Sequence, residues 1–336
     1  MDSLTQALLG AATFSVVKNR SIGKISMLIG ALAGTLPDLD VLLSPFFNEV
    51  TFLTVHRSFS HSILFAVLVS AILAAIFHLV YKKQFKLQRW FFAFFLSIFT
   101  HAILDCFTTY GTKLLCPFKA YMFSTNNIHT IEPVYTVILL IGVICFLMVK
   151  AKSLKAQRII RNSLIISCLY LGWTFSSKAI AVNNFTLQLK QQNIAYTNLM
   201  VSPTPLNSLL WNVVAKTNNG YYFGNYSLLD GNKKIIFYYE NSNNKILEDL
   251  KHNKIVQHYL DYTQNFPLVK LDENGLVKIY AIKFGPYNYF GKPEFVYPLE
   301  IDLNNFKTEH IAINYEGYKR GPVKNYKSLF KRVLSK

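Results

Sequence analysis

Residues 63–77 read ILFAVLVSAILAAIF, fifteen positions without a charge, and lie inside a longer apolar segment at 61–81. With its flanks the run reaches the ~20 helical residues that cross a bilayer's hydrocarbon core. Working outward, residues 90–108 (WFFAFFLSIFTHAILDCFT), 134–149 (VYTVILLIGVICFLMV) and 163–182 (SLIISCLYLGWTFSSKAIAV) repeat the pattern. Two shorter segments, 4–17 and 25–43, read as helices of the same bundle, and the second carries Pro37-Asp38-Leu39-Asp40 near its end. The fold class expected is an all-α membrane bundle of about six helices followed by an antiparallel α+β domain outside the membrane.

The composition agrees. Of 336 residues, 51% are apolar or aromatic and only 16% are charged, with a mean hydropathy of +0.24. Soluble domains carry about 25% charge, so an ordinary soluble enzyme and a disordered chain are both disfavoured. The net charge of +17 invites a nucleic-acid reading, but its distribution argues otherwise. The basic residues between the apolar segments fall into three loops: Lys18, Arg20 and Lys24; Lys82, Lys83, Lys86 and Arg89; Lys150, Lys152, Lys155, Arg158 and Arg161. None of these loops contains Asp or Glu. Six alternating helices place all three on one side, cytoplasmic by the positive-inside rule, with the N-terminus and everything after about residue 183 outside. The excess is a topology signal, and no nucleic-acid partner is expected. The opening MDSLTQ lacks a basic n-region, so the first helix is expected to be retained.

Past Asn183 the sequence turns polar and rich in Asn and Tyr. Residues 221–229, 234–239, 276–284 and 295–303 read as strands, Asp230-Gly231-Asn232 as a hairpin turn, and 246–265 as an amphipathic helix. The expected organisation is a bundle at 1–183, an extracytoplasmic α+β domain at 184–318 and a basic tail at 319–336, read as solvated or lying on headgroups. Cys145 and Cys168 read as packing residues; Cys106 and Cys116 fall on the outer side, where a disulfide is left open.

Ionisable groups in membrane segments are costly and invite a functional reading. They are Asp38 and Asp40 in GTLPDLD, His56, Arg57 and His61 in VHRSFSHS, and His101 and Asp105 in THAILDCFTTYG. In the proposed topology all reach the outer end of the bundle, where Glu132 joins them. His101 and Asp105, four apart, share one helix face. Adding His61 and an aspartate of the 38–40 pair gives two nitrogens and two oxygens, a set suited to Zn²⁺, with Mn²⁺ or Fe²⁺ as alternatives. The plainer readings are an intrahelical His–Asp hydrogen bond and a Pro-Asp-x-Asp that ends a helix at the interface. His78 reads as a packed or interfacial residue, and His129, His252, His258 and His310 as surface residues.

MDSLTQALLGA, GALAGTLPDLD, HRSFSHS and HAILDCFTTYGTKLLCPF, in that order between apolar helices, resemble the bacterial inner-membrane metal-dependent hydrolase family of the YdjM type. The resemblance covers roughly residues 1–150; TPLNSLLW at 204–211 and GYYFG at 220–224 are similar to a subgroup with an added outer domain. More distantly, Pro37-Asp38, His61-Ser62 and His101-x-x-x-Asp105 resemble the ligand pattern of zinc-dependent phospholipase C. The resemblance implies Asp38, His61, His101 and Asp105 as ligands of a divalent metal, most simply zinc, with Asp40 as a further ligand or the base. Gln6, after Thr5, stands where many members carry histidine, and the further histidine and glutamate set of the phospholipase pattern is not found. The residues fit one metal, or two with Glu132 or His56 assisting, and Gln6 is a further candidate ligand beside Asp40 and Glu132.

The function expected is a multi-pass inner-membrane hydrolase cleaving an ester or phosphodiester, with a lipid headgroup as substrate, at the outer face. Asp40 or His56 would handle the proton and Arg57 would hold an anionic group. The alternative is a non-enzymatic membrane protein with a structural metal and a partner-binding outer domain.

Overall fold

Glycines at positions 10, 30 and 34, on the first two helices, let their backbones touch. A computed structural model of the chain describes residues 1–303, 311–314 and 326–335. Helix α1 (Ser3–Ile22) packs on α2 (Ile25–Thr35) through Gly10, Gly30 and Gly34; a Cβ on Gly34 would stand 2.7 Å from the Cα of Gly10. Small residues allow such close approach between membrane helices. The sequence predicts one helix over 25–43, but α2 passes at Leu36 into a tighter 3₁₀ segment, Leu36–Phe46, that holds Asp38 and Asp40. Pro37 supplies no backbone N–H for a regular ladder.

Helix α3 (Glu49–Val55) follows, then α4 (Ile63–Val80), α5 (Leu87–Cys106), α6 (Pro133–Met148) and the 38-residue α7 (Leu154–Gln191). Ser62 caps α4, its hydroxyl accepting from the N–H of Phe65. The buried residues of α4 are Ala66, Ser70 and Ala74, one stripe at a spacing of four, while Ile72, Leu79 and Val80 are exposed. So much bare aliphatic surface is unfavourable in water and natural in lipid. Among the described residues, Ile25–Phe46, Ile63–Val80, Leu87–Cys106 and Leu154–Gln191 are long and apolar enough to cross a membrane, and α6 is apolar but shorter. Helix α1 is not in that set; it buries Thr5, Gln6, Thr13, Ser15 and Lys18 within the bundle. The ammonium of Lys18 sits 3.5 Å from the centroid of a Trp90 ring.

The chain forms two compact units, Met1–Leu43 with Val55–Thr174, and Ser44–Thr54 with Phe175–Lys336. The compositional change near 183 thus falls inside an unbroken helix. The second unit starts earlier because Ala181 and Phe185 of α7 are core residues beside Trp211, Val213 and Tyr226.

The second unit holds two antiparallel meanders. One is β1 (Asn198–Pro203), β2 (Leu210–Lys216), β3 (Gly220–Ser227) and β4 (Tyr238–Asn241); the other is β5 (Pro267–Leu271), β6 (Leu276–Ala281), β7 (Leu299–Asp302) and β8 (Ala312–Ile313). Strands β1, β2, β5 and β8 are not foreseen by the sequence reading. In β2, LWNVVAK is buried on both faces, so it shows no alternation to detect. Of the predicted strand at 234–239 only the end pairs, opposite Tyr222 and Phe223, and the strand predicted at 295–303 narrows to β7. The predicted helix at 246–265 is two helices, α8 (Ile246–Leu250) and α9 (Lys254–Thr263), because the Asn253 side chain accepts from Ile255 and Val256 N–H and starts a new helix. The C-terminal residues are not a loose tail: α10 (Tyr326–Val333) buries Leu329 and Val333 against Leu210 and Tyr289. Residues 319–325, Lys336 and His310 lie outside the described residues. All four cysteines are free thiols, and Cys145 and Cys168, read as packing residues, are exposed on the apolar faces of α6 and α7.

Candidate metal centre

Asp38 on the 3₁₀ segment, His61 just before α4, and His101 and Asp105 on the last turns of α5 come together inside the first unit. One donor atom from each lies within 4.8 Å of all the others. The two imidazole Nε2 atoms are 3.1 Å apart. His61 Nε2 is 3.4 Å from both Asp38 Oδ1 and Asp105 Oδ2. The same oxygens lie 3.3 Å and 3.6 Å from His101 Nε2. Four ligands on one tetrahedral ion with bonds of about 2.0–2.2 Å are ~3.3–3.6 Å apart along the tetrahedron's edges. The four nitrogen–oxygen distances match those edges, the two nitrogens are slightly closer, and the two carboxylate oxygens lie within 4.8 Å of each other.

The hydrogen bonds behind the rings fit the same description. His101 Nδ1–H donates to the carbonyl of Gly34 at 2.6 Å, so the lone pair is on Nε2. His61 Nδ1 lies 2.9 Å from the Ser60 hydroxyl, which spends its proton on Asp40 Oδ2 at 2.7 Å and therefore accepts from the ring. Both Nε2 lone pairs then face one another, an arrangement that a hydrogen bond between them cannot satisfy. Asp105 Oδ2, fully buried beside them, makes no hydrogen bond. A cation among the four answers every one of these deficits.

Asp105 is tied from behind. Its Oδ1 accepts from the Met1 amino group and from Gln6 Nε2 at 3.0 Å, and Arg57 Nε lies 3.3 Å from its Oδ2. Gln6 thus presents its amide nitrogen to a carboxylate rather than an oxygen to a metal. Arg57, which the sequence reading aims at a substrate anion, is buried: its Nη1 donates to Thr108 at 3.0 Å and the guanidinium lies over the Tyr110 ring. A buried carboxylate needs a countercharge, and Arg57 supplies it. Its backbone takes a left-handed φ of 61°, with its N–H donating to Asp40 Oδ2 at 3.2 Å.

Asp40 accepts at both oxygens, from His56 Nδ1 at 2.8 Å on Oδ1 and from Ser60 and Arg57 on Oδ2. It stands behind the cluster rather than in it. The His56 ring centroid is 5.7 Å from that of His61. Glu132 is not brought to the cluster; buried at the start of α6, it accepts from the Tyr170 hydroxyl at 2.5 Å. The sequence reading does not name Ser60, Gly34 or Thr108; HRSFSHS contains the signal for Ser60, a hydroxyl directly before His61.

The fold and this cluster define a membrane protein with four candidate spans among its described residues and a candidate metal site near its helix ends. The sequence profile of the YdjM inner membrane protein family matches residues 1–181, and the chain belongs to that family. It is also 33% identical over 129 residues to the uncharacterized protein YfhP of Bacillus subtilis, a stretch covering 38% of this chain and 39% of that protein. No solved structure matches.

Proposed function

We propose that the chain is a membrane-embedded metal-dependent hydrolase that cleaves an ester or phosphodiester of a lipid headgroup at the extracytoplasmic face of the membrane. The observation that carries this reading is the cluster of four donor atoms whose nitrogen–oxygen distances, 3.3–3.6 Å, match the edges of a tetrahedral shell, with both histidines turned lone pair inward. Asp38, His61, His101 and Asp105 would hold the ion; two nitrogens and two oxygens suit zinc, then manganese or iron. A divalent cation so held supplies Lewis acidity and brings the pKa of water to about 7. The side chain of Asp38 is 21% exposed while those of the other three are sealed, so substrate and water approach from the Asp38 side. His56, 22% exposed and fixed through Nδ1 by Asp40, is the group placed to accept a proton from the attacking water and return it to the leaving oxygen. Asp40, with both oxygens engaged, orients His56 rather than acting as the base. Arg57 balances the charge of Asp105.

The test combines metal analysis of the purified protein with a lipid-hydrolysis screen. His101→Ala should lose metal and turnover together. His56→Gln should keep the metal and lose about 10² to 10⁴ in rate. One observation favours a second reading: four protein donors also make a closed structural centre. Wild type with confirmed metal and no turnover across lipids, phosphodiesters and esters would establish that reading, with the outer domain serving a partner.

A further inference from the structure

In the second unit, α9 lies over the sheet β5–β8, and between them a cavity of about 310 Å³ remains. Its walls include Leu53, Tyr259, Tyr262, Ala281, Phe295 and Tyr297, and among the described residues no charged side chain lines it. The wall residues are tied by contacts of their own and with Lys283. The Tyr259 hydroxyl donates to the carbonyl of Tyr297 at 3.0 Å, the Tyr262 and Phe284 rings meet at 6.1 Å, and the buried Lys283 ammonium sits 4.0 Å from the Tyr262 ring centroid. An apolar space of this size, framed by pinned aromatics, is the ordinary form of a small-ligand pocket, and its lining offers an aliphatic ligand contact without asking it to hydrogen-bond.

We infer that this cavity takes the acyl chain of a membrane lipid. The second unit itself carries the end of an apolar span: Ser44, Pro45 and Phe46 close Ile25–Phe46, and α3, which supplies Leu53, begins three residues later. At most ~17 Å of chain separates Phe46 from Leu53, three extended residues and one turn of helix. Lipid chains of one leaflet fill half of a ~30 Å hydrocarbon core, about 15 Å. The cavity wall at Leu53 is therefore at most about one leaflet's chain length from the end of that apolar span, where Phe46 and Phe47 are both exposed. The assignment does not depend on the metal centre or on hydrolysis.

The full chain, in nanodiscs doped with a phosphatidylcholine carrying a diazirine near the end of one acyl chain, is irradiated and its peptides are read by mass spectrometry. Label is expected on peptides containing Tyr259–Tyr262 and Phe295–Tyr297, as well as on membrane helices. Leu53→Trp and, separately, Ala281→Leu fill the space and should cut the cavity label at least fivefold while label on residues 63–80 stays unchanged. That unchanged label and an unaltered melting temperature show that a variant is folded; if one variant fails this control, the other decides. Label confined to the membrane helices, or undiminished in a folded variant, overturns the assignment.

Discussion

Ser60 owns a single proton, and the direction in which it points fixes what His61 can do. With that proton on Asp40, the hydroxyl accepts from His61 Nδ1 and leaves Nε2 bare toward Asp38 and Asp105. Ser60→Ala removes the acceptor and frees the ring to take the other tautomer, so divalent-metal affinity should fall about 10- to 100-fold. Ser60→Thr should restore most of it. Titration of the metal-free protein with Zn²⁺ checks both, and equal affinity in the alanine variant would remove Ser60 from the centre. The four side chains that the fold brings together were legible in the sequence because ionisable groups stand out in apolar helices. Their supports were not: the carbonyl of Gly34 carries no side-chain signal, and the burial of Arg57 could not be read from a position four residues before His61.

Elements were legible in proportion to how simply they face their surroundings. Helices α4, α5 and α6 have long apolar runs and fall where those runs lie. The short strands of the second unit, buried on both faces or interrupted by turns, do not announce themselves. Helix α10 was misread as a tail because its charges dominate eight residues whose apolar side is only Leu329 and Val333. Its Arg332 forms a two-pronged pair with Asp230 at 2.6 and 2.7 Å. Burial raises the Asp230 carboxyl, but the bonds from Arg332, Ser335 and the Ser227 N–H outweigh it and hold the group below the usual carboxylate range. A depressed folded value means that the stabilisation is complete above the unfolded value of about 3.9 and is lost as pH falls through the folded one. Melting curves of wild type and Arg332→Ala should differ at pH 6 and converge toward pH 3. A gap that widens in acid would contradict this sign.

At the scale of the whole molecule, the distribution of charge set the expected orientation: three basic loops with no acidic residue, each between apolar helices. Reporter fusions after Lys152 and after Tyr221 should report opposite compartments, the first cytoplasmic, since only α7 intervenes. Both in one compartment would mean that α7 does not cross, and an extracytoplasmic Lys152 would move the metal centre to the other face of the membrane. The division into two units was the part least visible in the sequence, because the placing of Val50 in one core with Val269 leaves no local pattern.

That division bears on the order of synthesis. The second unit draws Val50 and Leu53 from α3 into the core it shares with Leu250, Val256 and Leu299. Residues 44–54 leave the ribosome more than a hundred residues before Phe175, so this small piece of the second unit waits while the rest of the bundle is made. A fragment starting at Phe175 would be born with an apolar gap on its core and should aggregate or melt early, and a peptide of residues 44–54 added in trans should raise its melting temperature. The polar half of this chain is thus a dependent of the membrane half in time, whatever its sequence suggests about its independence.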